Sequence, residues 1–99
     1  MRIVGRDCLG DAINSGRIPP VPARCWLAEA ADACWSTAKE VADLYGGTED
    51  LGKAHLLIPL DDDGHCVVTL VNFAAGVMLI LFAGHRKDYS MRRGKGGRS

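Results

Sequence analysis

The hydrophobic pattern changes its period near Gly46 and Gly47, and this change restricts the fold class more than any other feature of the sequence. Before these glycines apolar residues recur at helical spacing, and after them they form short runs rich in Val, Ile, Leu and Phe. Chains whose helices and strands are segregated in this way belong to the α+β class. We therefore predict an α+β fold.

The first half of the chain predicts one strand and three helices. Thr37 and Glu40 form a capping box, in which the Thr hydroxyl accepts a hydrogen bond from the backbone three residues on and the Glu side chain reaches back. The helix that they open is expected to direct Val41, Leu44 and Tyr45 to the core and to end at the two glycines. The other elements are a strand at residues 1–5 and helices at 7–15 and 22–35.

Both tryptophans, Trp26 and Trp35, fall within the second predicted helix. At 100° per residue they lie on nearly opposite sides of that helix. We expect both in the core; the alternative is that one is exposed and anchors a protein partner.

The second half of the chain predicts three antiparallel strands in a meander, at residues 54–60, 66–73 and 77–83. The first two runs are separated by a strong hairpin turn, Asp61-Asp62-Asp63-Gly64, and the second pair by a short turn that contains Gly76. In a meander the middle strand begins beside the end of the last strand, which brings His65 towards His85. Because carboxylates repel phosphate, we interpret the acidic turn as a tip that points away from any RNA.

The length of 99 residues predicts a single domain. We place it at residues 1–92 and expect a flexible, basic, Gly-rich tail at 93–99. No apolar run reaches the roughly 18–20 residues that cross a bilayer, and the N-terminus lacks the apolar region of a signal peptide. We therefore expect a cytoplasmic protein with no membrane partner.

Four cysteines raise the alternatives of disulfides, a metal site or reduced thiols. Their spacings contain no Cys-x-x-Cys pair, so the usual zinc signature is missing. We expect reduced cysteines that act as small buried apolar groups, no metal and no cofactor. The four are Cys8, Cys25, Cys34 and Cys66.

The net charge of zero conceals an asymmetry. Residues 85–99 contain six cations and one anion, a net charge of +5, and the other 84 residues carry −5. A basic segment on an acidic body indicates an anionic partner such as RNA. The alternative is a solvated terminus with no partner.

Several segments resemble HigB-family toxins of bacterial type II toxin–antitoxin systems, in the RelE/ParE-like superfamily. The strongest is Phe82-Ala83-Gly84-His85-Arg86-Lys87-Asp88-Tyr89, which is similar to the closing motif of the family. The resemblance extends from Met1 to Ser90 without a gap. It includes the opening Met1-Arg2-Ile3-Val4, Trp26, Cys34-Trp35 before the capping box, and Tyr45.

This resemblance implies that helices pack on a small, mostly antiparallel sheet of RelE-like form. It implies cleavage of messenger RNA, generally on the translating ribosome and without metal. It also implies a helix-turn-helix antitoxin of the HigA type as partner.

The sequence departs from the family pattern at positions that matter for catalysis. His65-Cys66 stand where the family has Tyr-Arg, and Leu81 replaces an Arg of the last strand. Arg86 occupies the His position of the closing motif and His85 the Thr position. Tyr89 and Gly84 match, Asp88 stands for a Glu, and Ser90 replaces the final Asp.

Metal-free RNA cleavage needs groups that move protons and cations that stabilise the extra negative charge. We assign Arg86 to phosphate or transition-state charge, and His85 and Tyr89 to proton transfer or base stacking. The expected RNA-binding residues are Lys53, His65, Lys87, Arg92 and Arg93. Two alternatives remain: a catalytically silent module of the same fold that engages an antitoxin or the ribosome, and a small domain that binds another protein and never meets RNA.

Overall fold

The computed structural model describes residues 1–89, and helices and strands are segregated in these residues as the sequence predicts. The elements are β1 Arg2–Val4, α1 Arg6–Asn14, α2 Pro20–Asp32, α3 Ala38–Leu44, β2 Glu49–Gly52, β3 His55–Pro59, β4 His65–Asn72 and β5 Val77–His85. A helical turn follows at residues 86–89. The fold is therefore α+β. The proposed tail at 93–99 and the domain limit at residue 92 lie outside the described residues.

The strands form one mixed sheet in the order β1-β5-β4-β3-β2. β1 pairs with β5 in parallel, and the other neighbours are antiparallel. The meander of β3, β4 and β5 is the one predicted from the two turns. β2 was not predicted, because its sequence Glu-Asp-Leu-Gly has no alternation of apolar and polar residues.

The helices cover one face of the sheet and form the main core with it. Trp26 of α2 and Val41 of α3 are fully buried there together with strand residues such as Val67 and Ile58. Trp35 is also buried and contacts Tyr45 edge-on. Both tryptophans are therefore core residues, as expected.

The opposite face of the sheet carries a smaller apolar cluster and is otherwise open. Leu57, Cys66 and Val68 are buried in this cluster, and Phe82 and Tyr89 pack against it. Further along the same face, Leu70 of β4 and Val4 of β1 are exposed, and Leu81 is exposed at a bulge in β5. Among residues 1–89, α1, α2 and α3 pack on the other face and leave this one uncovered.

Three details of the first half differ from the sequence prediction. α2 begins at Pro20, because a proline in the first turn lacks an N–H that would be unpaired there anyway. It ends at Asp32, since Ala33 is extended, so Trp35 lies beyond the helix. Leu44 was expected in the core but is exposed in the last turn of α3.

The prediction of buried cysteines holds for Cys66 and is wrong for two others. All four thiols are free; Cys8 is half-buried, and Cys25 and Cys34 are exposed. Cys25 lies on the outer side of α2, and Cys34 follows the end of that helix. Among residues 1–89, no helix combines the length and apolar character that crossing a membrane requires.

The predicted cap of α3 is present and provides a stability test. Glu40 N donates to Thr37 Oγ1 over 3.3 Å, and Glu40 Oε1 accepts from Ser36 N over 3.1 Å. Thr37→Ala is expected to lower the free energy of unfolding by about 1 kcal/mol, because it leaves a helix N–H without its acceptor. Urea titration checks this. Ser36→Ala, which keeps both hydrogen bonds, is the control, and equal stability of the two variants would contradict the assignment.

Candidate functional site

Two histidines meet at one end of the sheet. His65 begins β4 and His85 ends β5, and the two residues are paired in the antiparallel register. Their rings are in edge contact, with centroids 5.6 Å apart and planes at 77°. The approach of His65 to His85 is the one that the meander predicts.

Both ring nitrogens of His85 are engaged by the backbone. Nε2 lies 2.9 Å from the carbonyl oxygen of Asp63, and Nδ1 lies 3.1 Å from the backbone N of Lys87. A carbonyl oxygen accepts and a backbone N–H donates, so this is a neutral ring with its proton on Nε2. His85 therefore fastens the hairpin turn to the helical turn at residues 86–89, and it has no free nitrogen for proton transfer.

The ring of His65 contacts a side chain, whereas that of His85 contacts the backbone. Its Nδ1 lies 2.8 Å from Asp61 Oδ2 and donates to that carboxylate. The other oxygen, Asp61 Oδ1, accepts from the backbone N of Asp63 over 3.0 Å and of His65 over 3.1 Å. Among residues 1–89, no hydrogen-bond partner reaches Nε2 of His65, and 24% of its side chain is exposed.

Asp61 is held in its ionised form by these contacts. Burial alone would raise the pKa of the Asp61 carboxyl, but hydrogen bonds from the His65 side chain and from two backbone N–H groups outweigh burial and lower it below 3.8. The ionised carboxylate therefore contributes stability that is complete above the unfolded pKa and is lost as the pH falls through the lower folded pKa.

A pH titration of stability tests this state of Asp61. Asp61→Asn is expected to reduce the loss of unfolding free energy between about pH 6 and about pH 3, because the titrating group has been removed. Urea unfolding at several pH values measures it. Asp62→Asn, which removes a neighbouring and exposed carboxylate, is the matched control. The same loss in Asp61→Asn as in wild type would contradict the assignment.

Arg86 forms an ion pair with Glu49 of β2. Because residues alternate along a strand, Cys66 faces the open side of the sheet and the two histidines face the helix side. Burial raises the pKa of the Cys66 thiol to about 11, with Arg86 lowering it and Glu49 raising it. The thiol that stands at the family's arginine position is therefore neutral.

The other predicted residues are dispersed. Tyr89 contacts Phe82 on the open face, with ring centroids 5.3 Å apart. Lys87 is exposed beside the histidines. Lys53 lies in the β2–β3 turn, at the opposite end of β3 from the hairpin that carries His65. Arg92 and Arg93 lie outside the described residues.

The charge of the hairpin turn suggested that it points away from the candidate site. The structure shows instead that two of its residues contact the histidines. Asp61 binds His65, and Asp63 accepts from His85. Sequence reasoning missed Asp61 because carboxylates were treated as repelling RNA. It missed Glu49 because that residue belongs to the strand without a pattern. The His65–Asp61 spacing of four residues across a turn was the signal for the first of these contacts.

One group of side chains has the spacing of a metal site. A ligand atom from each of Asp61, Asp63 and His65 lies within 4.8 Å of the other two. Cysteine spacing gave no sign of this group, because it contains no cysteine. Removing metal from the protein therefore tests the expectation that it needs none.

Comparisons with protein-family models and with curated proteins found no match. The relation to HigB-type toxins therefore stays a resemblance.

Gly64 determines how closely the turn approaches His85. Its φ is +101°, and a Cβ there would lie 2.6 Å from His85 Nε2, an atom that is itself held by Asp63. Gly64→Ala is expected to lower the free energy of unfolding by about 2 kcal/mol, through backbone strain and this contact.

Gly10→Ala is the matched control, because Gly10 lies within α1 and a Cβ there meets nothing within 4 Å. It is expected to stabilise the protein by about 0.5–1 kcal/mol. Thermal and urea unfolding of both variants check the two signs, and a neutral Gly64→Ala would contradict the close packing of His85 on the turn.

Proposed function

We propose that this chain is a HigB-like toxin of a toxin–antitoxin pair that cleaves messenger RNA on the ribosome without metal. One observation carries the proposal: His65 and His85 pair at the end of the sheet, and Arg86 follows directly. Residues 85–99, which begin with His85, contain six cations and one anion. His65, whose Nε2 has no partner among residues 1–89, and the cation Arg86, whose backbone N donates to Gly64 O, are therefore at the same end of the sheet.

Arg86 is available to RNA despite its ion pair. About half of each side chain of the Arg86–Glu49 pair is exposed, 48% and 43%. Such surface pairs contribute about 0–1 kcal/mol, so a phosphate oxygen competes readily with the Glu49 carboxylate. Arg86 then stabilises charge on the phosphate, while Tyr89 offers a half-buried ring beside it.

A specific observation favours a second candidate, the catalytically silent module. The two positions at which the family carries strand arginines hold a buried, neutral Cys66 and an exposed Leu81. The open face is apolar at Leu70 and Val4 as well. Apolar surface of this kind suits a protein such as an antitoxin better than a phosphate backbone.

Induced expression in a bacterial host separates the two candidates. Growth is followed, the 5′ ends of cellular mRNA are mapped, and Arg86→Ala is expressed in parallel. Growth arrest with new mRNA ends that the variant does not produce supports the toxin. Normal growth and intact mRNA, with a folded protein at the same level, supports the silent module.

Metal removal tests whether the Asp61, Asp63 and His65 group contributes an ion to cleavage. The protein is stripped with a chelator, the chelator is removed, and cleavage is assayed on programmed ribosomes at constant Mg²⁺. We expect stripped and untreated protein to cleave equally, since the proposed chemistry uses side chains alone. A loss of about tenfold or more that Zn²⁺ restores would contradict metal-free cleavage and assign the three side chains as ligands.

A further inference from the structure

His65 is the histidine at this end of the sheet with a nitrogen free to take a proton. His85 uses both ring nitrogens on the backbone. Tyr89, the other residue expected to move protons, packs against Phe82. For His65, the described residues supply a partner to Nδ1 and none to Nε2. The proton-transfer role expected for His85 therefore fits His65 better.

Asp61 fixes the form of the His65 ring. The carboxylate accepts from Nδ1 over 2.8 Å, which leaves the lone pair on Nε2. Two backbone N–H groups hold the same carboxylate in place, and its side chain is 19% exposed. An ionised carboxylate on the far nitrogen also stabilises the imidazolium that forms when Nε2 takes a proton, as in Asp–His pairs of hydrolases.

We infer that His65 is the general base of RNA cleavage and that Asp61 is its positioning residue; this inference rests on the proposed function. Nε2 of His65 takes the proton of a ribose 2′-hydroxyl. The 2′-oxygen attacks the adjacent phosphorus, and the bond from phosphorus to the 5′-oxygen breaks. The 5′-oxygen takes a proton from water, so the products are a 2′,3′-cyclic phosphate and a 5′-hydroxyl.

The carboxylates in the turn before His65 oppose RNA binding, and the sequence contains cations that offset them. Asp62 and Asp63 are exposed in the turn that precedes His65, and their charges repel phosphate. Residues 90–99 contain four cations and no anion. Cleavage is therefore expected to fall steeply with added salt, because these cations supply much of the attraction for RNA.

The test compares His65→Gln with His55→Gln. His55 is half-buried like His65. It begins β3 and pairs with Leu70, so it lies at the opposite end of the sheet from His65. With 5′-end-labelled RNA on programmed ribosomes under single-turnover conditions and saturating protein, His65→Gln is expected to lower the cleavage rate by about 10²–10⁴-fold. His55→Gln should cleave like wild type.

Asp61→Asn tests positioning separately from folding. Long-range ¹H–¹⁵N NMR of His65 is expected to show the proton on Nδ1 in wild type and a mixture of tautomers in Asp61→Asn. The cleavage rate should fall by about tenfold or more at a pH where both proteins are fully folded.

The outcomes distinguish this inference from the proposed function. If wild type cleaves and His65→Gln cleaves within about threefold of it, the general base lies elsewhere and the toxin proposal stands. If the folded wild type cleaves no RNA, the proposed function fails and the inference fails with it. An unchanged His65 tautomer in Asp61→Asn would overturn the role of Asp61 alone.

Discussion

Replacing Trp26 with alanine is expected to lower the free energy of unfolding by about 3–5 kcal/mol, a large part of the stability of a domain of this size. Trp26 is 1% exposed and belongs to the core cluster between α2 and the sheet. The loss combines apolar surface returned to water with a cavity that surrounding strands fill only in part. Urea unfolding, followed by far-ultraviolet circular dichroism because an intrinsic fluorophore has been removed, measures it.

Trp26→Phe is the matched variant, because the indole N–H of Trp26 is itself destabilising. Among residues 1–89, the Nε1 of Trp26 is the buried side-chain nitrogen or oxygen for which no hydrogen-bond partner is found. An unpaired buried N–H costs about 1–3 kcal/mol, and Phe lacks it. Trp26→Phe should therefore cost much less than Trp26→Ala. Equal losses for the two variants would contradict the unpaired indole.

The helix and strand order could be predicted from the sequence because periodicity and turn chemistry act locally. The hairpin at Asp61–Gly64 and the cap at Thr37 need only neighbours in the chain. β2 could not be predicted, since Glu49–Gly52 is a strand through pairing with β3 rather than through its own residues. The exposure of Leu44 could not be predicted either, because it depends on how α3 packs on the rest of the protein and not on the sequence of α3.

The approach of His65 to His85 was predicted from the sequence, and the hydrogen bonds of their rings were not. Strand register brought His65 to His85, and register follows from turn length. Asp61, Asp63 and the backbone of Lys87 engage both nitrogens of His85 and one of His65, and these contacts are set by rotamers and turn geometry. Residue types alone therefore favoured His85 for proton transfer, whereas the hydrogen bonds favour His65.

Removing the guanidinium of Arg86 is expected to lower the rate of mRNA cleavage by about 10²–10³-fold, the effect of losing one preorganised donor to a developing oxyanion. Arg86 is about half-exposed and paired with Glu49, so its loss should leave the fold nearly unchanged. The measurement is single-turnover cleavage of 5′-end-labelled RNA on programmed ribosomes by Arg86→Ala and wild type. Unfolding of the variant is measured alongside to exclude a structural cause.

Glu49→Gln provides a second variant with the opposite sign. It keeps the size of the side chain and removes the carboxylate that competes with phosphate for Arg86. Cleavage, or RNA affinity where cleavage is saturated, is expected to rise by up to about fivefold, in keeping with a surface pair of about 0–1 kcal/mol. This gain should vanish when Arg86→Ala is combined with it, because the two side chains act through one contact. A gain that persists in the double variant would mean that Glu49 repels RNA directly, and a normal rate in Arg86→Ala would remove Arg86 from the site.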